Sequence, residues 1–97
     1  MLTNKQKRFL RSEAHNIKPI FQVGKGGVND NLIKQVDDAL EARELIKVSI
    51  LQNCDEDKYD VAKVFEKGAE AAVVQVIGST IILYKESKEQ KKIDLPN

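Results

Sequence analysis

A chain of 97 residues with a formal charge of +1, 41% hydrophobic and 32% charged residues, suits one compact domain spanning 1–97 with a single modest core. Its longest apolar runs, Ala71–Val74 and Ile81–Tyr84, fall far short of the ~20 residues of a membrane helix, and Met1–Gln6 has no signal-peptide core, so no membrane association is expected. One cysteine, Cys54, rules out an internal disulfide, and the expectation is a reduced, cytoplasmic protein.

In chain order, a first helix is expected over about Asn4–His15, with Thr3 and Gln6 at capping-box spacing. Pro19 stops it, and Ile20–Val23 reads as a strand broken by the glycines at 24, 26 and 27. A second helix follows over about Asp30–Ala42, with Asn29 as N-cap and Leu32, Ile33, Val36, Ala39 and Leu40 at helical spacing. Leu45–Leu51 reads as a second strand and Asn53–Asp57 as a polar loop. A third helix covers about Lys58–Lys67, with Val61, Ala62, Val64 and Phe65 inward and Gly68 as its expected C-cap. Ala72–Ile77 and Thr80–Lys85 form a hairpin about Gly78-Ser79. The charged end, 86–97, is expected to be loosely held. The order α-β-α-β-α-β-β specifies an α/β fold: a mixed four-stranded sheet with helices packed on it.

Charge is unevenly placed. Residues 1–27 hold six Lys/Arg against Glu13 alone, residues 28–70 hold six against eleven acids, and residues 71–97 hold four against three. A basic front on a near-neutral chain fits one face meant for a polyanion or, equally, an ordinary solvated charged surface. At about 100° per residue, Phe9, Leu10, Ala14 and Ile17 share one side of the first helix. Arg8, Arg11 and His15 fall on the other, with Lys7 and Lys18 at that arc's edge and Lys5 on its shoulder. The second helix turns Asp37, Asp38 and Glu41 outward with only Lys34 among them, and a phosphate backbone should avoid it.

Gly24-Lys25-Gly26-Gly27 lies between a strand and a helix N-terminus, where unpaired N–H groups and the helix dipole attract anions. It is no Walker A loop, because Gly26 follows the lysine where a hydroxyl is needed. It is no dinucleotide fingerprint either, because Asn29 replaces the third glycine. What remains is Gly-x-x-Gly, which clamps a nucleic-acid backbone in KH-type modules, or simply a tight strand-to-helix turn.

Five ordered blocks, Thr3–Gln6 through His15, Lys18–Gly27, Ala39–Val48, Val74–Gly78 and Ile82–Lys85, resemble the YhbY/CRM family of RNA-binding domains from Leu2 to about Lys85. Ile93–Pro96 is similar to the tail of some single-domain bacterial members. The resemblance implies a fold related to the C-terminal domain of bacterial translation initiation factor three. It also implies a part in the assembly of large ribosomal subunits; plant relatives act in organelle intron splicing. It carries the family's RNA surface to Gly24, Lys25, Gly26 and Gly27, and to Lys5, Arg11 and Lys18; Arg8 joins them from the helix pattern. Arg43 stands where the family often has His, Asn29 where it often has Thr, and Glu56 where Arg is common, which weakens any RNA contact by the 54–57 loop.

The remaining candidates point away from catalysis. His15 lacks partners at metal or catalytic spacing. Cys54 precedes an acidic run that disfavours a thiolate. Asp55, Glu56, Asp57 and Asp60 lack the glycine and terminal Glu of a calcium loop. The expectation is therefore a monomeric, non-enzymatic RNA-binding protein with no cofactor, metal or small-molecule substrate, contacting phosphates rather than stacking bases. A protein–protein adaptor using the same basic face is the alternative, and a small phosphoryl-transfer enzyme is a distant third.

Overall fold

The computed structural model describes residues 2–97. Its elements are α1 (Asn4–Ala14), β1 (Phe21–Val23), α2 (Asp30–Arg43), β2 (Leu45–Ile50), α3 (Lys58–Gly68), β3 (Ala72–Ile77) and β4 (Thr80–Tyr84). The sheet order is β1-β2-β4-β3, with β1 parallel to β2 and the other pairs antiparallel. The α/β fold and mixed four-stranded sheet expected from the sequence are both present. The helices divide between its two faces, α1 on one and α2 with α3 on the other.

The local sequence explains where each helix starts. The Thr3 hydroxyl accepts from the Gln6 N–H at 3.1 Å, and the Gln6 side chain accepts from the Thr3 N–H at 2.9 Å. Asn29 Oδ1 accepts from Leu32 N–H at 2.8 Å, and Asp57 Oδ1 from Tyr59 N–H at 2.7 Å. Each cap satisfies a backbone donor that the first turn leaves unpaired. At the other end Gly68 is not the C-cap. It is the last residue of α3, Ala69 caps it, and the left-handed residue is Glu70 with φ 53. Gly68 serves packing instead: a Cβ there would lie 2.8 Å from Ile33 Cδ1, so glycine lets α3 approach α2.

Alternation in the strands feeds two cores. On one face Val23, Ile46, Val48, Ile81 and Leu83 pack with Val36 and Leu40 of α2 and Val61 and Phe65 of α3. On the other, Leu45, Val74, Ile82 and Tyr84 meet Leu10 and Ala14 of α1. β4 is apolar from Ile81 to Tyr84 because it is an inner strand covered on both faces. The β3–β4 register slips between Val73 and Gln75, so Val74 is an extra residue; it reaches the α1 core while Val73 and Val76 pack on the opposite one. The hairpin turns at Gly78 with φ 57.

The segment after β4 is not loosely held. Glu44, the single residue between α2 and β2, is fully buried with φ 67. Its carboxylate accepts from the N–H groups of Ser87 (2.7 Å), Lys92 (2.6 Å) and Ile93 (2.8 Å). Glu41 accepts from Lys88 N–H at 3.0 Å and from the Ser87 hydroxyl at 2.7 Å. Ile93 and Leu95 then pack beside α1, and Gln6 donates to Pro96 O at 3.0 Å. A charged composition suggested a free tail, but a carboxylate aimed at backbone N–H groups leaves no pattern in sequence. A left-handed residue other than glycine costs about 1–3 kcal/mol, so Glu44 is held there by its bonds.

Burial pushes the Glu44 carboxyl up, but the N–H groups of Ser87, Lys92 and Ile93, helped by the Lys91 charge, outweigh it and hold the pKa below the usual carboxylate range. The folded state therefore binds this proton less readily than the unfolded chain. The stabilisation is complete above the unfolded pKa and disappears as pH falls through the folded one. Urea denaturation from pH 7 to pH 3 should show stability falling below about pH 4.5. Glu44→Gln should cost about 1.5–3 kcal/mol at neutral pH, flatten that acid limb, and speed amide exchange at Ser87, Lys92 and Ile93. In a separate test, Gly68→Ala should destabilise the protein by about 1 kcal/mol, the crowding of Ile33 exceeding the gain in helix preference. In an Ile33→Val background the same change should stabilise.

Candidate nucleic-acid interface

The glycine loop is a turn with a defined geometry. Gly27 N–H donates to Gly24 O at 3.1 Å, and Gly26 has φ 95 while Lys25 keeps a negative φ, which makes 24–27 a type II turn. Gly26 is thus required by its conformation, and no atom lies within 4 Å of where its Cβ would be. Lys25 stands exposed at the tip. Neither its N–H nor that of Gly26 has a partner among the described residues. Two free amides, an open approach and an unpaired cation are what an oxyanion needs.

Two features oppose it. The Asn29 side chain already serves the first turn of α2, where Asp30 adds a negative charge. A Cβ on Gly27 would collide with the Glu56 carboxylate, so an acid lies directly against the turn. The departure noted at Glu56 in the sequence therefore bears on the glycine loop itself as well as on the 54–57 loop.

On α1 the exposed positions are Asn4, Lys5, Arg8, Ser12 and Glu13, with Arg11 half-buried among them and His15 exposed at the C-cap. Lys18 is exposed beyond the helix. None of Lys5, Arg8, Arg11, Lys18 and Lys25 forms an ion pair among the described residues. Other lysines are engaged: Lys47 Nζ donates to Ile17 O at 3.0 Å, Lys58 to Gly78 O at 2.8 Å, and Lys85 bridges Asp37 at 2.8 Å. Asp37 is thus tied to the end of β4 and Glu41 to the following segment, so two of the three outward acids of α2 are engaged in internal bonding.

The structure separates the sequence-predicted residues into two groups. Lys18 precedes β1 and Lys25 follows it, at opposite ends of the strand. α1 crosses the sheet at the end marked by the Leu45–Tyr84–Ala72 row. The glycine turn lies at the other end, beyond Val23–Ile50. Five residues of β2 separate the two levels, about 17 Å.

Between them lies a surface that sequence reasoning missed. Register puts Gln22, Ser49, Thr80 and Ile77 in one row across all four strands, on the face that carries α1. Lys47 and Gln75 flank Ile82 in another row. Apart from Ile82, which packs under α1, these side chains are exposed or half-exposed, and none of them belongs to the core that α1 covers. They form a polar shelf that joins the cationic flank of α1 to the glycine turn. Its signal was in the sequence as the alternating Lys47 and Ser49 of the second strand and the single polar positions Gln22, Gln75 and Thr80 of the others, but reading it requires the strand order.

Fold and site define a small three-layer α/β domain with a glycine turn, a cationic helix flank and an open polar sheet face. The chain belongs to the CRS1 / YhbY (CRM) domain family, whose model matches residues 2–85. It is 72% identical over 96 residues to the "Probable RNA-binding protein YqeI" of Bacillus subtilis, covering 99% of this chain and 100% of that one. It is 36% identical over 95 residues to an RNA-binding protein of Haemophilus influenzae, covering 98% and 95%. The solution structure of SAV1595 from Staphylococcus aureus matches with a TM-score of 0.82 and 61% identity, over 99% of this chain and 100% of that one.

Glu56 supplies a direct test of the turn. Glu56→Gln keeps the shape beside Gly27 and removes the charge. It should tighten binding to a duplex RNA by about two- to fivefold, the scale of one exposed charge interaction. An unchanged Kd in fluorescence anisotropy would mean that phosphates do not approach this turn.

Proposed function

We propose that this protein binds structured RNA across the polar shelf, with phosphates held by the α1 flank on one side and the Gly24–Gly27 turn on the other. The observation that carries this reading is the row of unpaired cations beside an uncovered, hydrogen-bonding sheet face. Relatives named as RNA-binding proteins support it. Lys5, Arg8, Arg11 and Lys18 supply charge from α1 and the segment after it; Lys25 supplies it at the turn. Gly26, with open space where a Cβ would be, lets the RNA backbone approach, while Gly24 and Gly27 complete the turn with Asn53 and Glu56 packed against them. Ser49, Thr80, Gln22 and Gln75 offer partners to 2′-hydroxyls. No aromatic lies in the shelf rows, which suits recognition of shape and backbone over base stacking.

The RNA we favour is ribosomal RNA in precursors of the large subunit, in keeping with the family resemblance of the sequence. No group in this arrangement suggests catalysis, and the role is one of docking. A protein partner is the second reading, favoured by exposed Tyr59 and Ile77 flanking the hairpin end of the sheet.

Lys25→Ala, and separately Arg8→Ala with Arg11→Ala, should weaken RNA binding about tenfold or more while leaving the fold intact. If about four to six phosphates are neutralised, the log Kd against log salt slope should be about 4–5, and the double variant should reduce it by about 2. Unaltered affinity in both folded variants would remove this surface from consideration. On gradients of cell extract, co-migration with large-subunit precursors, lost at high salt, supports ribosomal RNA. Salt-sensitive capture by a ribosomal protein without any binding to RNA supports the adaptor.

A further inference from the structure

A pocket of about 260 Å³ opens where the end of α1 meets the start of β2. Its floor is aliphatic, built from Ile17, Ile20, Leu45 and Ile93. Ile20 is 41% exposed there, yet it is not mobile chain, because its N–H donates to Lys47 O at 3.1 Å. Three cations stand around the floor: Lys18 after α1, Arg43 at the end of α2, and Lys92 after β4. Glu13 is the one carboxylate in the lining. None of the three cations forms an ion pair among the described residues. The wall bearing Lys92 and Ile93 is fixed by their own N–H groups on the buried Glu44 carboxylate.

An apolar floor with a cationic rim selects a ligand that is flat and weakly polar on one side and anionic on the other. The volume suits one nucleobase and little more. Arg43 has a planar guanidinium, which can stack on a base as well as meet a phosphate. The pocket also lies just past the C-terminal end of α1, where Glu13, Ile17 and Lys18 line it. We propose that it receives a single unpaired nucleotide, bulged from the RNA that docks on the shelf, with the base on the aliphatic floor and its phosphate among Lys18, Arg43 and Lys92. This rests on the RNA-binding reading and adds to it a preference for RNA with an extruded base, which costs little to splay when it is already unpaired.

The test compares a perfect RNA duplex with the same duplex carrying one bulged nucleotide, and reads the ratio of the two affinities. A base stacked on protein typically changes affinity by about fivefold to a hundredfold, and an aliphatic floor belongs at the low end, so the unaltered protein should favour the bulged RNA by about five- to tenfold. Arg43→Ala with Lys92→Ala should bring the ratio close to one. Ile20→Ser, which changes no charge and alters a partly exposed side chain, should lower it too. Lys25→Ala should weaken both RNAs by the same factor. Folding of each variant is checked by its amide NMR spectrum. A ratio of one in the unaltered protein, with both RNAs bound, overturns the pocket and leaves the shelf standing. No binding to either RNA overturns both. Saturable amide shifts at Ile17, Ile20 and Ile93 on adding AMP, without any bulge preference, would reassign the pocket to a free nucleotide.

Discussion

One helix cannot cover a four-stranded sheet, and much of this molecule follows from that mismatch. α1 has 11 residues, so it is about 16 Å long, enough to cross the strands but only about 10 Å wide along them. The strands it crosses extend about 20 Å. Buried apolar residues occupy that face beneath the helix, at Leu45, Val74, Ile82 and Tyr84. Beyond its edge the side chains turn polar at Gln22, Ser49 and Thr80, where water is their neighbour, with Ile77 an exposed apolar exception. The opposite face carries two helices and stays apolar along its length. The open shelf is thus a consequence of element count, and the cations of α1 border it because the inner side of the same helix is needed for the core.

The segment after β4 completes what α1 leaves exposed at the other edge. It is held by polar anchors first and apolar contacts second. Glu44 combines a left-handed backbone, full burial and a charge, three properties that are each unfavourable alone. Three backbone N–H groups make the combination stable, and they fix Lys92 and Ile93 next to α1. The N–H groups of a segment without helix or strand thereby gain the partners that regular structure would have given them.

Local features of the sequence were legible and distant ones were not. The capping box at Thr3 and Gln6, the Asn29 cap and the periodicity of all three helices depend on neighbours within four residues, and the elements begin where those patterns place them. Gly68 was misread because helix ends and helix crossings both favour glycine, and only Ile33, 35 residues away, distinguishes them. The tail was misread because Ile93 and Leu95 are isolated apolar residues among charges, and their partner Glu44 appears in sequence as one more acid in an acidic stretch. For the candidate site, the cations of α1 and the turn were readable from position alone. Their separation to opposite ends of β1, the shelf between them and the nearness of Glu56 to Gly27 depend on sheet order.

The two borders of the sheet have a further consequence. β1 presents only three residues between the Pro19 approach and the type II turn, and β3, at the other border, is interrupted at Val74. An incoming strand needs a straight, uninterrupted row of free amides and carbonyls, and neither border supplies one. The sheet is thereby closed to lateral growth, whether by a second copy or by an extended peptide. A protein with an uncovered sheet face is exposed to self-association, and here the short and broken margins keep that exposure from extending along the edges.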